Sequence, residues 1–137
     1  MSYAGDVSPT DTYAALQADP RAVLVDVRTK AEWAYVGVPV LLPLGREVVF
    51  AEWVTYPSGA RNEGFLDELR AAGVQEGQPI YFLCRSGVRS KAAAELATAA
   101  GLGPAYNITD GFEGPHDGQQ HRAVAGWKVD GLPWKQG

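Results

Sequence analysis

Four apolar runs, Ala22 to Val27, Val36 to Leu44, Ile80 to Leu83 and Ala105 to Ile108, stand out from a chain otherwise mixed in polarity. They are nearly continuous rather than alternating, which is the pattern of strands covered on both faces. Val7 adds a short edge strand ahead of them. Pro39 belongs near the start of the second run or at a sheet edge, because it has no N–H to give. Between the runs the spacing turns helical. Ser8-Pro9-Thr10-Asp11 opens a helix with Tyr13, Ala14 and Leu16 as its apolar stripe, closed at Asp19-Pro20. Thr29 and Glu32 have the spacing of a capping box for a short helix carrying Ala31 and Trp33. Phe65, Leu66 and Leu69 mark another helix, stopped by Gly73, and Val88, Ala92, Leu96 and Ala99 a fourth, stopped by Gly101. Strands alternating with helices predict an α/β fold, a central parallel sheet of about five strands with helices on both faces.

Two stretches depart from this rhythm. In Gly45 to Gly64, the large apolar residues Val48, Phe50, Trp53 and Tyr56 precede a Pro57-Ser58-Gly59 turn signal. A helix burying them on the sheet is one reading, and a lid or docking surface for a protein partner at 45–64 is the other. Gly114-Pro115-His116-Asp117-Gly118 reads as a surface loop. His116 and His121 are five apart and share no helix face, and no acidic or sulfur ligands join them, so no metal site is expected.

The chemistry concentrates at Ile80-Tyr81-Phe82-Leu83-Cys84-Arg85-Ser86-Gly87-Val88-Arg89-Ser90-Lys91. Cys84 sits at the carboxyl end of a predicted strand, where parallel sheets bind ligands. A loop running from Cys84 to Arg89 into a helix can aim successive N–H groups inward as an anion-binding nest at the positive end of the helix dipole. Such a position favours a thiolate, and an inert core cysteine rarely has this flank. Arg85 and Arg89 add forked cationic donors suited to an oxyanion. Asp26 and Arg28 lie at a neighbouring strand end and can reach the same rim. A structural ion pair or a set of loop-fixing hydrogen bonds is the role expected of them.

Composition narrows the class. With 137 residues, 46% of them hydrophobic, the chain suits one domain spanning residues 1–137. A net charge of -4 and a pI near 5.1 argue against nucleic acid or an anionic membrane as partner. Arg85, Arg89 and Lys91 nevertheless gather positive charge in this acidic body, which suits a small anion. The single cysteine excludes an internal disulfide and a resolving thiol, so any group taken up by Cys84 must leave to an external acceptor. No run is long enough to span a membrane and the N-terminus lacks a signal pattern, which makes the cytoplasm the expected location.

Cys84-Arg85-Ser86-Gly87-Val88-Arg89 resembles the active-site loop of the rhodanese family of sulfurtransferases, Cys-Arg-x-Gly-x-Arg in many members. Leu24-Val25-Asp26-Val27-Arg28-Thr29 resembles the family's Asp-Val-Arg segment, and Trp127 with Gly131-Leu132-Pro133 its C-terminal ending. Val36-Gly37-Val38-Pro39-Val40 departs from the family's Gly-His-Ile-Pro-Gly by lacking the histidine, and the 114–118 loop lengthens the usual connection to the tryptophan.

The resemblance implies a rhodanese-like fold and a ping-pong sulfur transfer without cofactor. A small anionic donor such as thiosulfate would give its outer sulfur to Cys84, and an external thiol or cyanide would take it away. Arg85, Ser86, Gly87, Val88, Arg89 and Ser90 would bind the donor and the persulfide. A phosphatase or arsenate reductase is the alternative enzyme. A Cys-x5-Arg phosphate loop, however, needs arginine at position 90, where this chain has Ser90, and reductase chemistry needs a second cysteine. A non-catalytic rhodanese-like binding module is the third reading, against which stand the retained cysteine and both arginines.

Overall fold

The computed structural model describes residues 3–55, 60–85, 87–112, 126–128 and 130–135. Its elements are β1 (Gly5–Val7), α1 (Pro9–Ala18), β2 (Val23–Asp26), α2 (Lys30–Tyr35), β3 (Val38–Pro39), a 3-10 turn at Leu42–Leu44, β4 (Val49–Phe50), α3 (Phe65–Ala71), β5 (Ile80–Leu83), α4 (Val88–Ala99), β6 (Ala105–Ile108) and β7 (Trp134–Lys135). A five-stranded sheet runs in the order β1-β6-β5-β2-β4 with every pairing parallel. β5, the strand that delivers Cys84, lies at its centre.

The continuous apolar runs are explained by the two faces of this sheet. Successive strand residues point to opposite sides. Val25, Ile80, Phe82 and Ala105 therefore meet Phe65 and Leu69 of α3 and Ala93, Ala94 and Ala97 of α4. Leu24, Tyr81, Leu83 and Ile108 meet Leu16 of α1 together with Phe112 and Trp127 on the other side. The helices therefore cover both faces, as the sequence pattern predicts. The helix starts follow the same logic. Ser8 Oγ accepts from the Asp11 amide at 3.0 Å, with Pro9 in the first turn of α1. At α2 both halves of the Thr29–Glu32 capping box are made.

Two sequence expectations are corrected. The run Val36 to Leu44 does not enter the main sheet. Only Val38–Pro39 is extended, and it pairs antiparallel with Trp134–Lys135 in a separate ribbon. Pro39 has no N–H to give to a ladder, and the two-stranded ribbon, paired on one side only, accommodates it. The vacant edge of β2 is taken instead by Val49–Phe50, inside the segment for which a helix was one reading. Val48 and Phe50 stand two apart, the strand period, and the ladder continues through Ala51 N–H to Asp26 O at 3.1 Å and Trp53 N–H to Val27 O at 3.0 Å. Beyond it, Val54 and Arg61 form an antiparallel bridge, and Trp53 packs edge-on against Phe65 at 5.2 Å.

This segment and the β3–β7 ribbon border a cleft of about 540 Å³, lined by residues that include Trp33, Val38, Leu41, Val48, Phe50 and Lys135. Its described lining does not include Cys84. The surface loop read at 114–118, with His116 and His121, lies outside the described residues, as do Tyr56 and the Pro57-Ser58-Gly59 turn signal. Among the described residues no helix is long and apolar enough to cross a membrane, and no cluster of metal-ligating side chains occurs.

Candidate active site

Cys84 follows the last residue of β5 and is almost wholly buried, at 1% exposure. The chain then turns into α4 through Gly87, whose φ of 109° is the left-handed conformation that glycine tolerates best. That conformation brings the Gly87 N–H to the sulfur, donating to Cys84 Sγ at 3.1 Å. The sulfur thus sits at the amino end of a helix of 12 residues, Val88 to Ala99, where the dipole favours negative charge. On its other side Sγ lies 3.2 Å from Ser90 Oγ, in the first turn of the same helix.

The turn after β6 holds this loop in place. Phe112 N–H donates to Cys84 O at 2.8 Å. A side chain at Gly111, where φ is 62°, would meet the backbone of Cys84 and Arg85 at 2.6 Å. One at Gly87 would collide with Thr109 O. Two glycines thus let the loop and the turn approach backbone to backbone, a relationship across two strands that local spacing does not reveal.

Arg85 and Val88 are exposed, Val88 at 78%. Ser86 lies outside the described residues. The sequence groups Arg89 with Arg85 as an oxyanion binder, but the structure gives it a different setting. Arg89 belongs to α4, and its two terminal nitrogens donate to Glu32 Oε1 and Oε2 at 2.7 and 2.9 Å. Glu32 also accepts from the Thr29 amide at 3.0 Å, so one carboxylate closes the capping box of α2 and fastens it to α4. Burial alone would raise the Glu32 carboxyl, but the hydrogen bonds from Arg89 and Thr29 and the charges of Arg89 and Arg28 outweigh it and hold it at about 2. Arg89 is pushed up by its hydrogen bond to Glu32, against the effect of burial. One of the positive charges counted toward the basic pocket is therefore already balanced.

Asp26 and Arg28 form a wholly buried ion pair at 2.8 Å. Arg28 Nε donates to the same carboxylate, Nη2 also donates to Gly37 O at 2.8 Å, and the guanidinium lies 4.2 Å above the Phe112 ring. The pair ties the end of β2 to the loop before β3 and to the residue that anchors Cys84 O. It does not touch the sulfur, in keeping with the structural role expected for it.

Sequence reasoning recognised Glu32 only as a cap and passed over Asn107 and Asp6. Asn107 accepts from Ser90 Oγ at 2.6 Å and donates to Asp6 at 3.1 Å. The available signal was an amide side chain in the middle of an otherwise apolar strand.

Comparison with known proteins matches residues 4–137 to the family model described as STR4 middle domain. The crystal structure of Rv0390 from M. tuberculosis superposes with a TM-score of 0.91 at 56% identity, covering 99% of this chain and all of that one. The uncharacterized protein RC0915 of Rickettsia conorii is 38% identical over 131 residues, covering 95% of this chain and 96% of that protein. Rhodanese-like domain-containing protein 4 of Arabidopsis thaliana, a chloroplastic protein, is 33% identical over 131 residues; the match covers 95% of this chain but 25% of that protein. A parallel sheet with its cysteine loop at the central strand, matched along nearly its whole length, places this chain in the family of rhodanese-like domains.

Proposed function

We propose that the protein is a sulfurtransferase in which Cys84 carries sulfur as a persulfide. The observation that carries this reading is the Gly87 N–H aimed at Cys84 Sγ from the amino end of α4, an arrangement that stabilises negative charge on sulfur. The Cys84 thiolate attacks the outer sulfur of a donor such as thiosulfate. The new S–S bond forms as the donor's own S–S bond breaks, and sulfite departs with the electron pair. An external thiolate or cyanide then attacks the terminal sulfur and returns Cys84 as thiolate. Sulfite leaves without a proton, which suits a loop from Cys84 to Arg89 that contains no histidine or carboxylate. The exposed Arg85 and the loop backbone meet the donor's oxyanion, while Arg89 holds α2 against α4 through Glu32.

Ser90 favours sulfur over phosphate as the transferred group. A Cys-x5-Arg phosphate loop needs a cation where this chain places a buried hydroxyl turned to the sulfur and to Asn107. The test is mass spectrometry of the intact chain after treatment with thiosulfate, for which a gain of one sulfur on Cys84, lost on adding cyanide, is expected. An unmodified mass with every sulfane donor tried would overturn the reading, and turnover of an aryl phosphate without sulfur loading would favour the phosphatase alternative.

A further inference from the structure

A hydrogen-bond chain runs from the buried sulfur to the protein surface. Cys84 Sγ lies 3.2 Å from Ser90 Oγ, and Ser90 Oγ donates to Asn107 Oδ1 at 2.6 Å. Asn107 Nδ2 donates to Asp6 Oδ1 at 3.1 Å, and the Tyr3 hydroxyl donates to the same carboxylate oxygen at 2.7 Å. Cys84, Ser90 and Asn107 are buried, whereas Asp6 is exposed.

The direction of every bond follows from the outer end. An ionised carboxylate only accepts, so Asn107 must turn its NH2 toward Asp6 and its carbonyl oxygen toward Ser90. That oxygen also only accepts, so the single hydroxyl proton of Ser90 is committed to it. What Ser90 then presents to Cys84 is a lone pair, which is a partner for a thiol S–H and not for a thiolate.

We propose that Asp6, acting through Asn107 and Ser90, holds the resting Cys84 as a thiol. Ionising it requires Ser90 to swing its proton from Asn107 to the sulfur, breaking the 2.6 Å bond. Asp6 and Asn107 are positioning residues, since neither touches the sulfur. The Gly87 N–H pulls the other way, as does the charge of Arg89, which interacts with Cys84. Among the described residues, the other charged groups on the elements packed here are Arg85 on its own loop, the Asp26–Arg28 pair at the end of β2, and Glu32, which is engaged with Arg89. The thiolate, not the thiol, is the nucleophile and the form that oxidants attack, so the chain restrains the sulfur at rest. The catalytic meaning rests on the sulfurtransferase reading. The test is made on the free thiol before any donor is added, so the two can fail separately.

The experiment measures the rate of Cys84 alkylation by iodoacetamide across pH on the intact chain, which has one cysteine. Asp6→Asn offers both a donor and an acceptor at position 6, so the Asn107 amide can reverse and Ser90 can turn its proton to sulfur. The profile is expected to move to lower pH, with alkylation below the midpoint accelerated about three- to tenfold, the size of a half- to one-unit displacement. Asn107→Leu removes the acceptor for the Ser90 proton without changing charge, and the same direction is expected. An unmoved profile, or one moved to higher pH, in folded Asp6→Asn would overturn the proposal. So would an Asp6→Asn effect that disappears at high salt, because screening removes a charge effect at an exposed site and leaves a hydrogen-bond orientation intact. That salt comparison decides the matter even where Asn107→Leu does not fold.

Discussion

Arg89 and Glu32 meet in a two-pronged ion pair, at 2.7 and 2.9 Å, that fastens the first turn of α4 to the first turn of α2. The helix that begins at the Cys84 loop is therefore braced by a side chain 57 residues away in sequence. Both side chains are mostly shielded, Arg89 at 24% and Glu32 at 19% exposure, so the pair is less screened than an ordinary surface bridge.

Because the folded-state value of Glu32 lies at about 2, below its ordinary 4.5, its stabilising effect is fully present above about pH 5 and is lost as pH falls toward 2. Glu32→Gln is expected to destabilise the protein at neutral pH by on the order of 2 kcal/mol and to flatten the decline between those limits. Denaturant unfolding at a series of acidic pH values checks this; parallel curves for the two proteins would remove Glu32 as the cause.

Cys84→Ser is expected to abolish sulfur loading while changing stability by less than about 1.5 kcal/mol, since the two side chains are close in volume and Ser90 and the Gly87 amide can satisfy a hydroxyl. Thiosulfate turnover and the denaturant midpoint measure the two halves. Residual turnover would point to a route that bypasses Cys84.

Gly87→Ala is expected to cost about 1–3 kcal/mol in backbone strain, and more if the new methyl group's collision with Thr109 O is not relieved. It also displaces the amide that faces the sulfur, so sulfur transfer should fall further than stability does. Turnover compared with the thermal midpoint separates the effects, and a wild-type rate in the variant would show that this amide is dispensable.

Asp26→Ala is expected to destabilise by about 3–5 kcal/mol, because it leaves the wholly buried Arg28 guanidinium without its counter-charge. Replacing both partners with apolar residues should recover much of that loss. Persulfide formation on the folded fraction should survive, since the pair does not touch Cys84; its disappearance there would give Asp26 a direct part in the chemistry.

The parts of this protein legible in the sequence are those whose cause is local. Ser8-Pro9 and the Thr29–Glu32 box announce their helices because a cap and its target are neighbours in the chain, and Ile80 to Leu83 announces a doubly covered strand because every residue in it is apolar. The second apolar run misleads for the opposite reason. Whether Val38 or Val49 extends the sheet depends on which one β2 can pair with, a contact between distant segments that a run of apolar residues does not encode. The site divides the same way. Cys84 and its glycine are legible as a loop at a strand end, whereas the true partner of Arg89 and the Asn107 contact arise only when α2, α4 and β6 are brought together.

The central place of β5 has one further consequence. Ile80 to Leu83 are bonded to β2 on one side and β6 on the other, whereas β4 is a two-residue edge. Brief opening of the edge exposes few amides and leaves the middle of the sheet intact, so β5 amides are expected to exchange their hydrogens with solvent only when the whole sheet comes apart. The segment leading to Cys84 is thereby expected to be the last to loosen, so that the sulfur keeps its setting through the motions that loosen the margins of the molecule.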